Sequence, residues 1–294
     1  MNDDGGTRGP QPGLVADTAA PAPRPAPRAS WLERYAALFR AAWLVDLQYR
    51  AAIVIWLLLG VTQPLVMLTI WWSVAGGGAV GGYGRPEFAR YFFAVMLVDQ
   101  LTLAWDIWYI DRWVREGELN FRLVRPFNPI HEAIADNLAY KTRSASLVVV
   151  VWVVVAAVWP AVRLPLEPVR WAAAAMAIML AAALRFLVSF SHGLFAFWTT
   201  RATGVFQLHQ GVSMFLAGRI APLALLPPAV ATVAGVLWFR SSLAFPVEVL
   251  TGTVPLGMPF VRGIAVQLIW TLVWLAAYRA LWLRGVRRYE AVGG

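Results

Sequence analysis

Few side chains in this chain of 294 residues could do chemistry, and the most telling of them lie in apolar surroundings. Asp99 and Asp106 interrupt the run VMLVDQLTLAWDIW, seven residues apart and so on nearly one face of a helix. A carboxylate at mid-membrane costs about 2.5–3.5 kcal/mol on insertion scales and is normally met by protein or water. Arg185, in AAALRFLVS, is the one basic residue deep within a hydrophobic stretch, at a depth between the two aspartates. The spacing therefore predicts an ion pair of Arg185 with Asp99 or with Asp106. Such a pair is either part of a polar translocation surface or proton-sensitive gate, or a structural tie between packed helices.

The remaining reactive types form no catalytic pattern. His131, His192 and His209 lack His-x-x-x-His or Glu-x-x-His spacing, and there is no cysteine, so no metal site is expected. Paired acidic motifs for magnesium–diphosphate would sit at a loop rather than inside an apolar span. Ser191 and His192 are adjacent and cannot face one another on a helix. The chain's single lysine, Lys141, follows Tyr140, so no Gly-Lys-Ser/Thr phosphate loop exists. No catalytic residue and no bound cofactor are expected, and any use of ATP falls to another polypeptide.

The elements that position these residues are membrane helices. Hydrophobic residues make up 60% of the chain and charged residues 14%, where a soluble domain carries about a quarter charged. The fold class expected is all-α integral membrane, with six spans at about 51–74 (interrupted by Pro64), 87–113, 144–162, 169–198, 203–216 and 261–283. Residues 1–30, rich in proline and alanine, read as a disordered cytoplasmic tail. From Trp31 to Arg50 a helix at the interface is expected, with Leu32, Tyr35, Leu38 and Phe39 on one side. Residues 218–257 contain five prolines and no run long enough to cross, and read as a broken, re-entrant pair of short helices. Of the 25 lysines and arginines this topology puts seventeen on the side of the two termini and seven opposite, with Arg185 inside a span. That asymmetry puts both termini in the cytoplasm. It also explains the net charge of +9 without nucleic acid.

Between the second and third spans lies VREGELNFRLVRPFNPIHE, residues 114–132, charged and proline-bearing amid apolar sequence. Glu118 and Arg122 form an i,i+4 pair, and Leu119 and Leu123 project together from a neighbouring face. Gly117 permits a sharp exit from the second span, and Pro126 and Pro129 end the helix. Read from physics alone, this is equally a rigid knob carrying leucines and Phe127 toward something outside the lipid, or an ordinary loop on headgroups.

The stretch REGELNFRLVRPFNP resembles the loop after span two of ABC-2 type transporter permeases, in the branch with Gly-x-Leu followed by Leu-x-Arg-Pro. LAGRIAPLALLPP followed by FPVEVLTG is similar to that branch's pattern before the last span, save that Pro227-Pro228 stands where phenylalanine-proline is usual. The resemblance covers most of Trp31 to Tyr289. It implies a permease in the bacterial inner membrane that exports a drug, lipid or other amphipathic compound. It also implies two copies of a separate cytoplasmic ATPase that hold ATP and magnesium, and a second permease chain, identical or homologous.

Arg115, Glu116, Gly117, Glu118, Leu119, Phe121, Arg122, Leu123, Arg125 and Pro126 would then form a coupling helix seated in the ATPase. Pro222, Pro227, Pro246 and Gly252 would belong to an outer gate, and spans two and five would line the path. The rival function is a proton-coupled secondary transporter using the mid-span carboxylates, although no internal repeat supports it.

Overall fold

The computed structural model describes residues 30–48, 50–199 and 202–289. Apart from Ser30, the tail expected over 1–30 lies outside them. The described residues form twelve α-helices and no strand. They are α1 (Trp31–Gln48), α2 (Arg50–Ala75), α3 (Arg85–Thr102), α4 (Asp106–Arg115), α5 (Leu119–Leu123) and α6 (Ile130–Val158). There follow α7 (Pro168–Gly193), α8 (Ala202–Leu216), α9 (Pro228–Val236), α10 (Trp238–Ser242), α11 (Ala244–Thr251) and α12 (Met258–Arg288). Five stretches are long and apolar enough to cross a membrane: Leu58–Ala75, Arg85–Arg115, Ile130–Val158, Pro168–Phe197 and Met258–Arg288. The protein is thus all-helical and multi-pass. The fifth expected span is α8, whose 15 residues rise only about 22 Å.

Local chemistry sets the helix starts. Ser30 and Glu33 cap α1 reciprocally: Glu33 N–H donates to Ser30 Oγ at 3.2 Å and Ser30 N–H to Glu33 Oε2 at 2.7 Å. Glu87 Oε2 accepts the N–H of Gly84 at 3.0 Å where α3 begins. Asn128 Oδ1 accepts the N–H of Ile130 at 3.0 Å, so α6 starts fourteen residues before the expected span and absorbs the end of the charged loop. Prolines that have no N–H to lose open α7 and α12.

The second span differs from expectation. It is two helices, with Leu103–Trp105 non-helical between them. No glycine or proline marks the break; instead α7 supplies its missing hydrogen bonds. Arg185 Nη1 reaches the carbonyl of Asp99 at 3.4 Å and Thr102 Oγ1 at 2.6 Å, at the end of α3. Ser189, one turn further along α7, accepts the N–H of Ile107 at 3.3 Å in the first turn of α4. A cation meets one helix C-terminus and a hydroxyl meets the next N-terminus, so both ends are served inside the bundle.

Packing centres on α3 and α7. Ala173, Ala174, Ala177 and Ala181 form a buried small-residue stripe on α7, which lets helices approach closely. Gln267 of α12 donates to Ala177 O at 2.9 Å and Ser241 O at 2.8 Å, tying α12 to α7 and α10. Most of α3, from Phe88 to Gln100, is buried within the bundle. The exposed apolar faces beside it belong to α2 (Ile55, Leu58, Leu59) and α8 (Leu208, Phe215). On α1, Trp31 and Tyr35 turn toward the loop, whereas Leu32 is 83% exposed and so does not share their face.

At Gly193 a Cβ would lie 2.7 Å from Ile110 Cβ and 3.2 Å from Ile107 Cα, where α7 meets α4. Gly193→Val should therefore destabilise the fold by about 1–3 kcal/mol. Thermal unfolding in detergent checks this, with Gly204→Ala, which meets nothing within 4 Å, as the neutral control. Equal unfolding temperatures for the two variants would contradict the close packing.

Candidate functional site

In the last turn of α3, near the middle of the second span, Asp99 is gripped by two guanidinium groups. Arg185 Nη1 donates to Asp99 Oδ1 at 2.6 Å. Arg219 forms a fork on the same carboxylate, Nη2 to Oδ1 at 2.7 Å and Nη1 to Oδ2 at 2.9 Å. The fork is the geometry in which arginine binds a carboxylate most strongly. Arg219 is delivered by the segment after α8, which is itself pinned at three carbonyls. Tyr91 Oη donates to Gly218 O at 2.7 Å, Gln63 Nε2 to Arg219 O at 3.0 Å and Trp71 Nε1 to Ile220 O at 2.7 Å. Gly218 has φ of +82°, a left-handed turn that glycine adopts without strain.

Of the two pairs the sequence allowed, the structure forms Arg185 with Asp99. Asp106 does not join them, because the break places it at the start of α4. There it accepts from Asn137 Nδ2 at 3.4 Å and is attracted by Lys141 of α6. Arg219 was expected among the loop arginines opposite the termini. The segment that carries it runs inward instead, because only there do its backbone carbonyls and guanidinium find partners. Beside the ion cluster lies a cavity of about 330 Å³, walled by Trp56, Gly60, Gln100, Trp105 and Gln210 among others. Gln100 is 3% exposed, and its side-chain oxygen has no hydrogen-bond partner.

The charged loop forms a second feature. Gly117, at φ +74°, turns the chain out of α4 into the one-and-a-half-turn helix α5. Arg122 is the keystone: Nη1 bonds Glu118 Oε2 at 3.1 Å, Nη2 bonds Glu132 Oε1 at 3.2 Å, and the guanidinium lies 4.1 Å over the Trp113 ring. Together these join α4, α5 and α6. Arg112 reaches Glu118 at 3.5 Å, Arg125 reaches Glu132 at 3.7 Å, and Arg115 pairs with Asp111.

A family profile described as ABC-2 family transporter protein matches residues 57–293 of the chain. The chain belongs to the ABC-2 transporter family. It is therefore a multi-pass permease component of an ABC transporter, a system in which a separate protein is the ATPase. No curated protein matches the chain.

Within this permease several residues of the loop turn out differently from the sequence reading. Leu119 does not project with Leu123. It is 1% exposed and packs with Trp113, Ile130 and Phe190 in the permease's own core. Phe127 is half-buried under α1, 4.6 Å from His131 and 5.5 Å from Trp31 between ring centres, while Tyr35 Oη bonds His131 Nδ1. Arg122 is held by the carboxylates of Glu118 and Glu132. The outward rim is Phe121 (73% exposed), Leu123, Val124 (82% exposed), Arg125 and Pro126, with Arg115 and Glu116 beside it. Val124 was missed; it follows the last residue of α5, where helical spacing does not place it.

The four residues expected at an outer gate fall into two groups. Pro222 and Pro227 bracket the turn before α9, whose Leu225 packs at Gly81. Pro246 is buried within α11, and Gly252 (φ +86°) ends that helix against Pro165 and Arg170. His192 and His209 meet at 4.9 Å between ring centres, in an aromatic nest with Trp238 and Trp274. They belong to packing, and among the described residues no metal-binding group of histidine and carboxylate occurs.

The grip on Asp99 is unequal to its loss. Asp99→Asn leaves two buried guanidinium groups without a counter-charge, a change that typically costs about 3–5 kcal/mol. Arg185→Gln leaves the Arg219 fork in place. Thermal unfolding of the purified permease should therefore fall further for Asp99→Asn than for Arg185→Gln, and the reverse order would contradict the geometry.

Proposed function

We propose that this permease is the membrane half of an ABC exporter driven through the loop between α4 and α6. In this reading two copies of a cytoplasmic ATPase, holding ATP and magnesium, each seat one such loop, and the transporter contains a second permease chain, identical or homologous. The loop and both termini face the cytoplasm of a bacterium across its inner membrane, and α8 with the strap after it completes a sixth crossing. The substrate is a drug, lipid or other amphipathic compound. Pro222, Pro227, Pro246 and Gly252 belong to the gate on the outer side, and Asp99, Asp106 and Arg185 to the polar part of the path.

One observation carries this reading. The loop combines a fixed frame with an unsatisfied apolar rim. Glu118, Leu119 and Arg122 lock it to α4 and α6, whereas Phe121, Leu123 and Val124 point away from the protein. A locked frame transmits displacement that a loose loop would absorb. The rim offers a partner about 1.5–3 kcal/mol for each side chain fully enclosed. Arg115, Glu116, Arg125 and Pro126 surround it and would set register and partner choice.

Co-purification tests the proposal. A tagged permease should carry its ATPase, and Phe121→Asp, Leu123→Asp and Arg125→Glu should each abolish that recovery while membrane insertion is unchanged. Leu119→Ala should instead lower the permease's own unfolding temperature. Equal ATPase recovery from all the rim variants would overturn the assignment of the loop.

A further inference from the structure

We propose that the cavity beside Asp99 is a binding site for an anionic headgroup, a phosphate or carboxylate borne on an apolar chain. The inference deepens the permease reading above and rests on it. Asp99 carries one negative charge and is bonded by both Arg185 and Arg219, so the cluster holds one positive charge in excess. Among the described residues, Arg185 and Arg219 form ion pairs with Asp99 alone. Asp106, with Asp136 near it, is engaged by Asn137 and Lys141. Gln63 of α2 gives its amide to Arg219 O, and Gln210 of α8 is neutral. Glu248 is bonded to Arg240 at 2.6 Å. An uncompensated guanidinium in a low-dielectric setting is stabilised by an opposite charge brought next to it.

The cavity is shaped for such a charge on an amphiphile. It touches both Asp99 and Arg219, so its polar end meets the cluster. Gln100, buried and with an unpartnered side-chain oxygen, adds a polar group able to accept a hydrogen bond from a headgroup hydroxyl. The remaining wall is apolar and aromatic: Trp56, Leu59, Leu103, Trp105 and Met214. Trp56 and Leu59 are also exposed on the outer face of α2, so the apolar side of the cavity is continuous with that exposed apolar face. A volume of about 330 Å³ takes a headgroup and the first few methylenes, and the rest of a chain would leave laterally between α2 and α8.

The full permease in phosphatidylcholine nanodiscs provides the test, and it needs no ATPase. Fluorophore-tagged dodecyl phosphate is titrated by anisotropy and competed with dodecyl phosphate, dodecanol, dodecyltrimethylammonium and inorganic phosphate. Dodecyl phosphate should compete at concentrations at least about tenfold below those of the neutral and cationic analogues and of inorganic phosphate. Arg219→Gln, which removes the excess charge, and Gly60→Leu, which fills the cavity and displaces the Gln100 amide that its Cβ meets while leaving every charge in place, should each weaken binding about tenfold or more. Repeating the titration with phosphatidylglycerol in the nanodisc separates the sources. Lost binding assigns the site to a membrane lipid headgroup, and retained binding assigns it to a free amphiphile. Equal competition by dodecyltrimethylammonium, equal competition by inorganic phosphate, or indifference to both variants would overturn the proposal. Persistent ATPase recovery alongside that failure would leave the permease reading standing.

Discussion

A carboxylate halfway along a membrane helix must be met from within the protein, and much of this fold follows from how Asp99 is met. Two arginines reach it, one from α7 and one from the strap after α8. The first also caps the end of α3, so that the second span can stop at Thr102 and restart at Asp106. The second requires the chain to turn inward at Gly218 and hold its carbonyls to Tyr91, Gln63 and Trp71. Without that carboxylate, Arg185 beside the broken span and Arg219 on the strap lose their shared counter-charge. The ion cluster is thus the point where α2, α3, α7 and the segment leading to α9 are brought into one arrangement.

The charged loop obeys the same rule in a wetter setting. Arg122 holds two carboxylates and one indole, and those belong to α4, α5 and α6. Asp106 opens α4 and bonds Asn137 of α6, so the helices the loop joins are tied again nearer the bundle centre. The path from loop rim to Asp99 is short and consists of packed helix, an ion pair and one break whose ends are both bonded to α7. In the proposed coupling, a push at Phe121 or Val124 reaches Arg185 through these stiff elements.

The sequence made the helices legible because each crossing is a long apolar run, and the loop legible because charge and proline there stand against apolar flanks. The Arg185–Asp99 contact was also within reach, since a lone intramembrane arginine has few partners. What escaped had physical causes. The break after Thr102 carries no proline or glycine, and its stabilising groups lie more than eighty residues away on α7. Arg219 sits among prolines, where arginines ordinarily mark a loop in water. Leu119 and Leu123 share a helical face by spacing, but α5 is too short for spacing to decide, and the core claims one while the rim keeps the other. Each error came from reading a local pattern where a distant partner set the outcome.

The chain contains no cysteine, so pairs of spin labels can be placed on it without background. The most direct measurement is the pair of distances from Val124→Cys to Leu138→Cys on α6 and to Leu208→Cys on α8, taken in the ATPase-bound permease with and without ATP. All three positions are exposed and outside the ion cluster. The account predicts that the distance within the loop–α6 body stays constant while the distance to α8 changes on ATP binding. A loop that shifts against α6 while its distance to α8 holds still would contradict it.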